Sequence, residues 1–392
     1  MNPMIPYGRQ SIGDDDIEAV AAVLRSDFLT QGPAVPAFEQ AVANYCKVEH
    51  TVAVNSATSA LHVACLALDV RPGDRVWTSP NTFVASANCA LYCGATVDFV
   101  DIDPVTYNLC PKALAAKLQS AQHLGTLPKV VIPVHFAGLP CDLAAIHSLS
   151  QQYGFRVIED ASHAIGARFG DTIIGDCRYS DITVFSFHPV KIITTGEGGL
   201  ATTRSSELAR RMQLLRSHGM TRETHELEKP REGPWYYEQQ VLGFNYRMTD
   251  MQAALGSSQL KHLDFWIARR HEVADTYDEA YKDLPLFLPQ RPAASRSALH
   301  LYVVRLDPAR TSLERKYLFN ALRAAGIGVN VHYIPVHTQP YYQKLGFRVG
   351  NFPVAESYYA HCITLPLFPG LTSESQEHVV AALRTCLQPG RH

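Results

Sequence analysis

The chain has 392 residues, of which 46% are hydrophobic and 18% are charged. A chain of this length and composition can bury a full core in about two or three domains, which excludes an intrinsically disordered protein. The 35 Lys and Arg residues nearly balance the 37 Asp and Glu residues, for a formal charge of −2. The chain therefore lacks the basic excess of a dedicated nucleic-acid binder.

The first half of the chain is predicted to alternate strands with helices. Acidic residues at 14–16 begin a helix whose apolar side chains Ile17, Val20 and Leu24 follow at helical spacing. A strand at 51–54 follows and leads through a turn into a second helix. Further strands are predicted at 75–79, 96–100, 130–135, 156–160, 182–187 and 199–203. Such alternation indicates a mainly parallel sheet that is covered by helices on both faces.

The second half changes character and ends in a smaller unit. Residues 204–270 contain helical runs and a polar loop. From about residue 295 the pattern becomes strand, helix, strand and helix, with the second strand predicted at 327–334. We therefore expect a large α/β domain at 1–270 and a smaller C-terminal α/β domain at 271–392.

The segment SFHPVKIITTGEGG at 186–199 contains a lysine in a setting that favours reactivity. Lys191 follows a predicted strand and is surrounded by apolar residues, which disfavour its charged form and lower its pKa. This is the setting of a Schiff-base lysine. The glycines that follow let the backbone pass close to a ligand, and Ser186 offers a hydroxyl to a phosphate. Taken alone, the segment also fits a surface lysine in a loop.

Two further features lie at predicted strand ends. Asp160 ends the strand at 156–160, where α/β proteins place ligand groups. A carboxylate there can hold the ring nitrogen of pyridoxal phosphate (PLP), or it can cap the next helix. In the turn at 55–59, backbone amides and the hydroxyl of Thr58 or Ser59 can cradle a phosphate or act only as an N-cap. The chain has no Walker loop and no strand-linked GxGxxG, which argues against ATP or NAD.

The phosphate turn, the carboxylate and the lysine occur in the order that is typical of a fold-type-I PLP enzyme. Over nearly its whole length, the chain is similar to the sugar aminotransferases of the DegT/DnrJ/EryC1/StrS family. The matching stretches are SDFLTQGP, NSATSALH, SPNTFVASANCA, VIEDASHAIGA, SFHPVKIITTGEGG, GFNYRMTDMQAALG and VNVHYIPVHTQPYY. The resemblance implies PLP as the cofactor. It also implies an α/β fold with a mainly parallel central sheet, flanking helices and a smaller C-terminal α/β domain.

The resemblance implies a role for each residue that matches a family motif. Lys191 stands where the family has its catalytic Schiff-base lysine. The implied cofactor-binding residues are Ala57, Thr58, Phe83, Asp160, His163, Ser186 and Asn245. Among these, Phe83 matches the ring that stacks on PLP, His163 matches the group beside the phenolic oxygen, and Asn245 matches a residue that reaches the neighbouring subunit's phosphate. The implied substrate-binding residues are Tyr7, Phe28, Leu29, Thr30, Gln31, His332, Tyr333, Ile334, Pro335 and His337.

The residues at 329–342, together with PWYYEQ at 234–239, are most similar to the pseudaminic-acid branch of the family. That branch implies transfer of an amino group from glutamate to C4 of a UDP-linked 4-keto-6-deoxy-N-acetylhexosamine, with 2-oxoglutarate as co-product. The alternatives are another keto-sugar nucleotide, or a non-catalytic PLP-binding homologue. The aromatic run that begins at Trp235 fits either a substrate platform or loop packing, and His337 fits either a substrate contact or a packed loop residue.

The expected partners and location follow from the same observations. The match at Asn245 implies a homodimer with shared active sites, and the low charged fraction favours a large subunit interface. His332 and His337 are five residues apart without a third ligand at metal-binding spacing, so no metal is expected. The nine Cys include no CxxC pair, and the chain shows neither a signal-like leader nor an apolar run of about 18 residues. We expect a cytoplasmic protein that binds neither nucleic acid nor a membrane.

Overall fold

The structure is a computed structural model that describes residues 4–229 and 231–387. The α-helices of these residues are α1 (Asp14–Leu24), α2 (Ala34–Cys46), α3 (Ala57–Ala67), α4 (Ala85–Tyr92), α5 (Pro111–Leu124), α6 (Leu143–Tyr153), α7 (Ser206–Arg216), α8 (Asp250–Leu260), α9 (Leu263–Tyr281), α10 (Arg315–Ala324), α11 (Pro340–Lys344), α12 (Pro353–His361) and α13 (Ser373–Leu387). Their strands are β1 (His50–Val54), β2 (Arg75–Thr78), β3 (Thr96–Phe99), β4 (Val130–Ile132), β5 (Arg156–Asp160), β6 (Arg168–Phe169), β7 (Thr172–Ile173), β8 (Ile182–Ser186), β9 (Gly199–Thr203), β10 (Met220–Thr221), β11 (Glu238–Gln239), β12 (Leu286–Phe287), β13 (Ser295–Arg296), β14 (Tyr302–Leu306) and β15 (Cys362–Leu365).

The central sheet has seven strands in the order β1-β9-β8-β5-β4-β2-β3. β9 is antiparallel to both of its neighbours, and the other neighbouring pairs are parallel. Each strand of this sheet falls within a segment, or next to one, that the sequence predicts to be extended. The prediction of an α/β fold with a mainly parallel central sheet is therefore confirmed.

Both faces of this sheet are buried. In β4, Val130 and Ile132 pack into one apolar cluster, whereas Val131 between them packs into a second cluster. Successive side chains of a strand point to opposite faces, so the two clusters lie on opposite sides of the sheet. Because helices cover both sides, polar groups of the central sheet reach solvent mainly at the ends of its strands.

A smaller unit follows around the three-stranded antiparallel sheet β12-β14-β15. Its separate apolar core includes Leu318 of α10 and Leu383 of α13. The long helix α9 joins the two units, since Ile267 packs into the large core and Val273 into the small one. The division at 270/271 falls within this helix and stays a prediction.

The strand predicted at 327–334 is wrong. Only Asn330 pairs with β15, through an isolated bridge to Thr364. The following residues leave the sheet because their polar groups bond elsewhere. The carbonyl of His332 accepts a hydrogen bond from the Tyr358 hydroxyl at 2.8 Å, and the Tyr333 side chain lies against the large unit. The segment therefore lies between the two units and contacts both.

The helix predicted after the acidic residues at 14–16 forms as α1, but two of its three predicted apolar side chains face outward. Ile17 is 56% exposed and Leu24 is 58% exposed. The buried side chain is Asp16, which accepts hydrogen bonds from Gln259 at 2.6 Å and from the amide of Gly13 at 3.0 Å. The hydrogen bonds of Asp16 therefore orient α1, and apolar side chains of this helix stay uncovered on the single chain.

Two features bear on location and chemistry. Within 4–229 and 231–387, no helix is both long and apolar enough to cross a lipid bilayer. The nine Cys all lie in these residues, and none of them forms a disulfide.

Candidate active site

A cavity of about 490 Å³ opens at the carboxyl ends of β5 and β8. Among the residues that the sequence predicts for the site, those that line the cavity are Tyr7, Ala57, Thr58, Phe83, Asp160, His163, Ser186, Lys191, His332 and Tyr333. The lining residues that the sequence reasoning missed as site residues are Ser56, Leu61, Thr82, Ala85, Val134, Ser162, His188, Val190, Glu197 and His300. Segments that are far apart in sequence therefore meet at the carboxyl ends of the parallel strands, where such folds bind ligands.

Lys191 is the lysine that lines this cavity. It lies in the loop between β8 and β9, where its amide donates to the carbonyl of His188 at 2.9 Å. No hydrogen bond or ion pair joins its Nζ to another described residue. Burial lowers the pKa of Lys191 from 10.5 to about 8, although the negative charge of Asp160 opposes this shift. An amine with such a pKa is partly neutral near pH 7, which makes it available as a nucleophile or base.

Asp160 ends β5 and is only 4% exposed. Its Oδ2 accepts a hydrogen bond from the Ser86 hydroxyl at 2.6 Å, and its Oδ1 accepts one from the amide of Ser162 at 3.1 Å. Two carboxylate oxygens have about four acceptor positions, so these two bonds leave room for another donor. Because Asp160 also lines the cavity, its remaining acceptor positions suit a protonated ring nitrogen.

The turn before α3 is built as a phosphate cradle. The Ser56 hydroxyl caps α3 by accepting from the amide of Ser59 at 3.1 Å, and the Ser59 hydroxyl donates to Asn55 at 2.7 Å. These two hydroxyls therefore serve the turn itself. The amides of Ala57 and Thr58, and the Thr58 hydroxyl, have no acceptor among the described residues. They are left for an anion at the N-terminus of the helix.

A glycine beyond Lys191 fits closely against this turn. A Cβ atom on Gly199 would lie 2.4 Å from the carbonyl carbon of Ser56 and 2.5 Å from the nitrogen of Ala57. Only glycine allows that approach between backbones. The Gly-rich run after Lys191 therefore brings the lysine loop and the phosphate turn together, and Ala57 needs no left-handed conformation there.

His163 and Tyr333 form a polar pair on another wall. The Nδ1 atom of His163 accepts a hydrogen bond from the amide of Ala137 at 3.2 Å, so the ring proton sits on Nε2. That nitrogen lies 3.0 Å from the Tyr333 hydroxyl and donates to it. The pKa of His163 lies well below its usual value because of burial and the nearby Lys191 charge, which keeps the ring neutral. Burial raises the pKa of Tyr333, so its own O–H stays available as a donor.

Two more histidines face the same space. His332 has its pKa lowered to about 3, by burial first and then by Lys191. Its Nδ1 lies 2.8 Å from the Thr364 hydroxyl, and its ring lies 5.4 Å from the ring of Tyr7. His300 is only 4% exposed, and its ring lies 4.4 Å from that of His163. Sequence reasoning missed His300 because its neighbours are strand residues of the smaller unit, and no local motif sets it apart.

The structure does not bring every predicted residue to the cavity of its own chain. Residues 28–31 lie outside it, with Phe28 53% exposed and Leu29 47% exposed. Asn245 is exposed, and only its backbone carbonyl is engaged, by Asn55. Ile334 and Pro335 also lie outside the lining. The roles predicted for Phe28, Leu29, Thr30, Gln31, Asn245, Ile334 and Pro335 stay predictions, and those on the exposed face need a second subunit.

His337 is a packed residue in this structure. Its side chain is fully buried, and its Nε2 lies 2.8 Å from the Glu356 carboxylate. Glu356 also accepts from the amides of Gly350 and Phe352, so the pair fixes the loop before α12. Of the two readings of His337, the geometry favours the packed loop residue. Among the described residues, no group of three or more His, Cys, Asp or Glu side chains is arranged to hold a metal ion.

Comparisons with known proteins agree with this arrangement. Residues 10–384 match the model of the DegT/DnrJ/EryC1/StrS aminotransferase family. The chain is 40% identical to the spore coat polysaccharide biosynthesis protein SpsC of Bacillus subtilis, over 98% of this chain and 97% of that protein. Among solved structures it is similar to Helicobacter pylori PseC, an aminotransferase involved in the biosynthesis of pseudoaminic acid. That likeness has a TM-score of 0.89 and 31% identity, over 98% of this chain and 99% of that one.

A second similar structure bears on the cofactor. The putative sugar aminotransferase Spr1654 of Streptococcus pneumoniae was solved in a PLP form and a PMP form. The PLP form has a TM-score of 0.87 and 29% identity, over 97% of this chain and 98% of that one. Aminotransferases of the matched family use PLP. The unpaired amine, the open carboxylate positions and the anion cradle of this cavity fit the aldehyde, ring nitrogen and phosphate of that cofactor.

Proposed function

The chain belongs to the DegT/DnrJ/EryC1/StrS aminotransferase family, and we propose that it transfers an amino group from glutamate to C4 of a UDP-linked 4-keto-6-deoxy-N-acetylhexosamine, the reaction of the pseudaminic-acid branch. The coarser statement, a PLP-dependent sugar aminotransferase, follows from the family. The observation that carries the proposal is that Lys191, Asp160 and the cradle before α3 face one cavity. The finer assignment is supported by the likeness to PseC.

The residues of the cavity divide the work of amino transfer. When PLP is bound, its aldehyde accepts amines and its ring draws electrons from the carbon next to the transferred nitrogen. The amides at Ala57 and Thr58, with Ser186, would hold the phosphate. Asp160 would hold the ring nitrogen in its protonated form, and Phe83 would cover the ring. These contacts would fix the orientation of the ring before any amine arrives.

Lys191 carries the covalent attachment and the proton transfer. Its pKa of about 8 leaves enough neutral amine to bond the cofactor at neutral pH. With glutamate bound in its place, the freed amine of Lys191 would take the proton from Cα of glutamate as a base and give it back to the cofactor side as an acid. The same amine would move the proton in the opposite direction when the keto-sugar is the substrate. Tyr7, Tyr333 and the face of His332 are the groups that the sugar side meets.

A second candidate substrate has its own support. The identity to the spore coat polysaccharide protein, 40%, exceeds the 31% identity to PseC. An amino group on another keto-sugar nucleotide of polysaccharide synthesis is therefore the alternative. Both candidates use the same half-reaction with the amino donor and differ only in the acceptor.

The experiment that tests the proposal offers purified protein with PLP, glutamate and a panel of keto-sugar nucleotides. We expect 2-oxoglutarate to form together with a 4-amino sugar, which product NMR identifies. The Lys191→Ala variant is the matched control and should form neither product. Amine transfer only to a 3-keto sugar would support the second candidate. Failure with every keto-sugar would contradict both.

We also propose a cytoplasmic homodimer with shared sites. The exposed apolar side chains of α1, with Phe28 and Leu29 after it, present a surface that a second copy would cover. The exposed side chain of Asn245 is free to reach a neighbouring cavity. Nine Cys without a disulfide suit a reducing compartment.

A further inference from the structure

The carboxylate of Asp160 is held by a chain of buried hydroxyls that begins on the helix behind it. Ser86, the second residue of α4, lies 2.6 Å from Oδ2 of Asp160. The hydroxyl of Thr82 lies 2.7 Å from the same Ser86 hydroxyl. Thr82 is 2% exposed, Ser86 is fully buried and Asp160 is 4% exposed. Water therefore has little access to these three groups.

The donors and acceptors of these two hydrogen bonds can be assigned by counting protons. An ionised carboxylate only accepts hydrogen bonds, and a serine hydroxyl has one proton to donate. Ser86 must therefore donate to Asp160, and its oxygen is left as an acceptor. Thr82 then donates to Ser86. Two hydroxyl dipoles in series point at the carboxylate, and each bond polarises the next in a site of low dielectric.

We infer that Ser86 is a positioning residue that holds the Asp160 carboxylate aimed at the cofactor's ring nitrogen, with Thr82 orienting Ser86. The inference rests on the proposed function, because it requires PLP with its nitrogen against Asp160. A hydrogen bond to the charged form of a carboxylate favours that form. Without the Ser86 donor, the proton shared between the ring and Asp160 shifts toward the carboxylate, and the ring loses its positive charge.

The position of Ser86 couples this task to the binding of the ring. Residues 82–86 supply the orienting hydroxyl, the exposed aromatic ring of Phe83 and the donor to Asp160 within five consecutive positions. The amide of Ser86 donates to the carbonyl of Phe83 at 3.3 Å. The start of α4 therefore positions both Phe83, which would cover the cofactor ring, and Ser86, which would act on the ring nitrogen through Asp160.

The test compares Ser86→Ala, Ser86→Thr and Thr82→Val in the PLP-loaded protein. The first variant removes the donor, the second restores a hydroxyl, and the third removes only the group that orients Ser86. Ser258→Ala is the matched control, because Ser258 is a buried serine of α8 whose hydroxyl has no partner in the described residues. Thermal unfolding midpoints identify any variant that fails to fold.

The readout is the ¹⁵N chemical shift of ¹⁵N-labelled PLP across the pH range, together with the PLP dissociation constant. We expect a protonated ring nitrogen in the parent, in Ser86→Thr and in Ser258→Ala. Ser86→Ala should shift the nitrogen toward the neutral position and weaken PLP binding about tenfold, and Thr82→Val should do so to a smaller extent.

Two results separate this inference from the proposed function. If the parent binds PLP with a protonated nitrogen and Ser86→Ala leaves both the shift and the affinity unchanged, the positioning role of Ser86 is overturned. If the parent fails to bind PLP, or binds it with a neutral nitrogen, the assignment of Asp160 itself is overturned. Should Ser86→Ala be unstable, an unchanged shift in a folded Thr82→Val protein counts against the inference.

Discussion

The Nε2 atom of His163 lies 3.0 Å from the hydroxyl oxygen of Tyr333, although 170 positions separate the two residues along the chain. The bond has a fixed direction, because the amide of Ala137 occupies the other ring nitrogen. His163 therefore donates, and the O–H of Tyr333 has to find its acceptor in the cavity. A tyrosine in this state is suited to contact a sugar hydroxyl or a carbonyl oxygen.

Replacing Tyr333 with Phe tests that donor. The variant keeps the ring and removes only the hydroxyl, so we expect kcat/KM for the sugar nucleotide to fall about tenfold to a hundredfold. PLP affinity should change little, because Asp160 and the cradle at Ala57 remain. Steady-state kinetics and PLP titration measure the two quantities. A large loss of PLP affinity with normal kinetics would place Tyr333 in the cofactor site instead.

The attachment point of the cofactor is the second prediction. Borohydride reduction of the PLP-loaded protein should leave a stable adduct, which peptide mass spectrometry should map to Lys191. The physical reason is that Lys191 combines a cavity position with a pKa of about 8. The Lys191→Ala protein provides the control and should lose the adduct. An adduct on another lysine of the parent would contradict the assignment.

The third prediction concerns pH. Only the neutral amine of Lys191 attacks the aldehyde, so capture of PLP by the cofactor-free protein should speed up as pH rises through about 8. The charge of Asp160 opposes the fall of this pKa, and Asp160→Asn should therefore move the midpoint to lower pH. Stopped-flow absorbance over pH 6 to about 11 follows the reaction. A rise centred near 10.5, the ordinary lysine value, would show that burial does not act on this amine.

The shared site is the fourth prediction. Chains that carry Lys191→Ala should be inactive alone, and chains that carry Asn245→Ala should be weakly active alone. If Asn245 serves the neighbouring site, random pairing makes half of the dimers hybrid, each with one intact site. The mixture should then regain about a quarter of the parent activity. No recovery, with subunit exchange confirmed by mass spectrometry, would mean that each site is built from one chain.

The sequence predicted the parts of the site that stand at the ends of strands. Asp160 and Lys191 could be found because the first ends and the second follows a strand with a clear apolar pattern, and a parallel sheet brings such ends together on one edge. The turn at 55–59 was found for the same reason. The order of the three features was enough to suggest the cofactor.

Other parts of the site depend on contacts between residues that are far apart in sequence, which no local pattern predicts. Ser86 meets Asp160 across 74 positions, and His300 reaches the cavity from the smaller unit. The predicted strand at 327–334 has a suitable composition, yet only Asn330 pairs with β15, and the Tyr333 side chain bonds to His163 instead. His332 and His337 lie in the same motif, and the sequence does not distinguish their roles. In the structure, His337 is buried and paired with the Glu356 carboxylate.

The last prediction concerns His332, which lines the cavity and is proposed to lie on the side of the sugar. Its Nδ1 is bonded to the Thr364 hydroxyl, and burial lowers its pKa to about 3, so it is neutral at the pH of any assay. Its ring lies 5.4 Å from that of Tyr7 and 4.8 Å from that of Tyr333. We therefore expect His332 to act on the substrate mainly by supporting these two aromatic side chains.

We expect His332→Ala to raise KM for the sugar nucleotide and to leave the half-reaction with glutamate nearly unchanged, because the amino donor does not need the Tyr7 side of the cavity. Single-turnover measurements of the two half-reactions separate the effects. Thr364→Val is the matched control, since it removes the partner of Nδ1 and keeps the ring. If it behaves like the parent, the ring itself is what matters. Equal damage to both half-reactions in His332→Ala would move this residue to the cofactor, and normal kinetics in both would leave Tyr7 and Tyr333 independent of it.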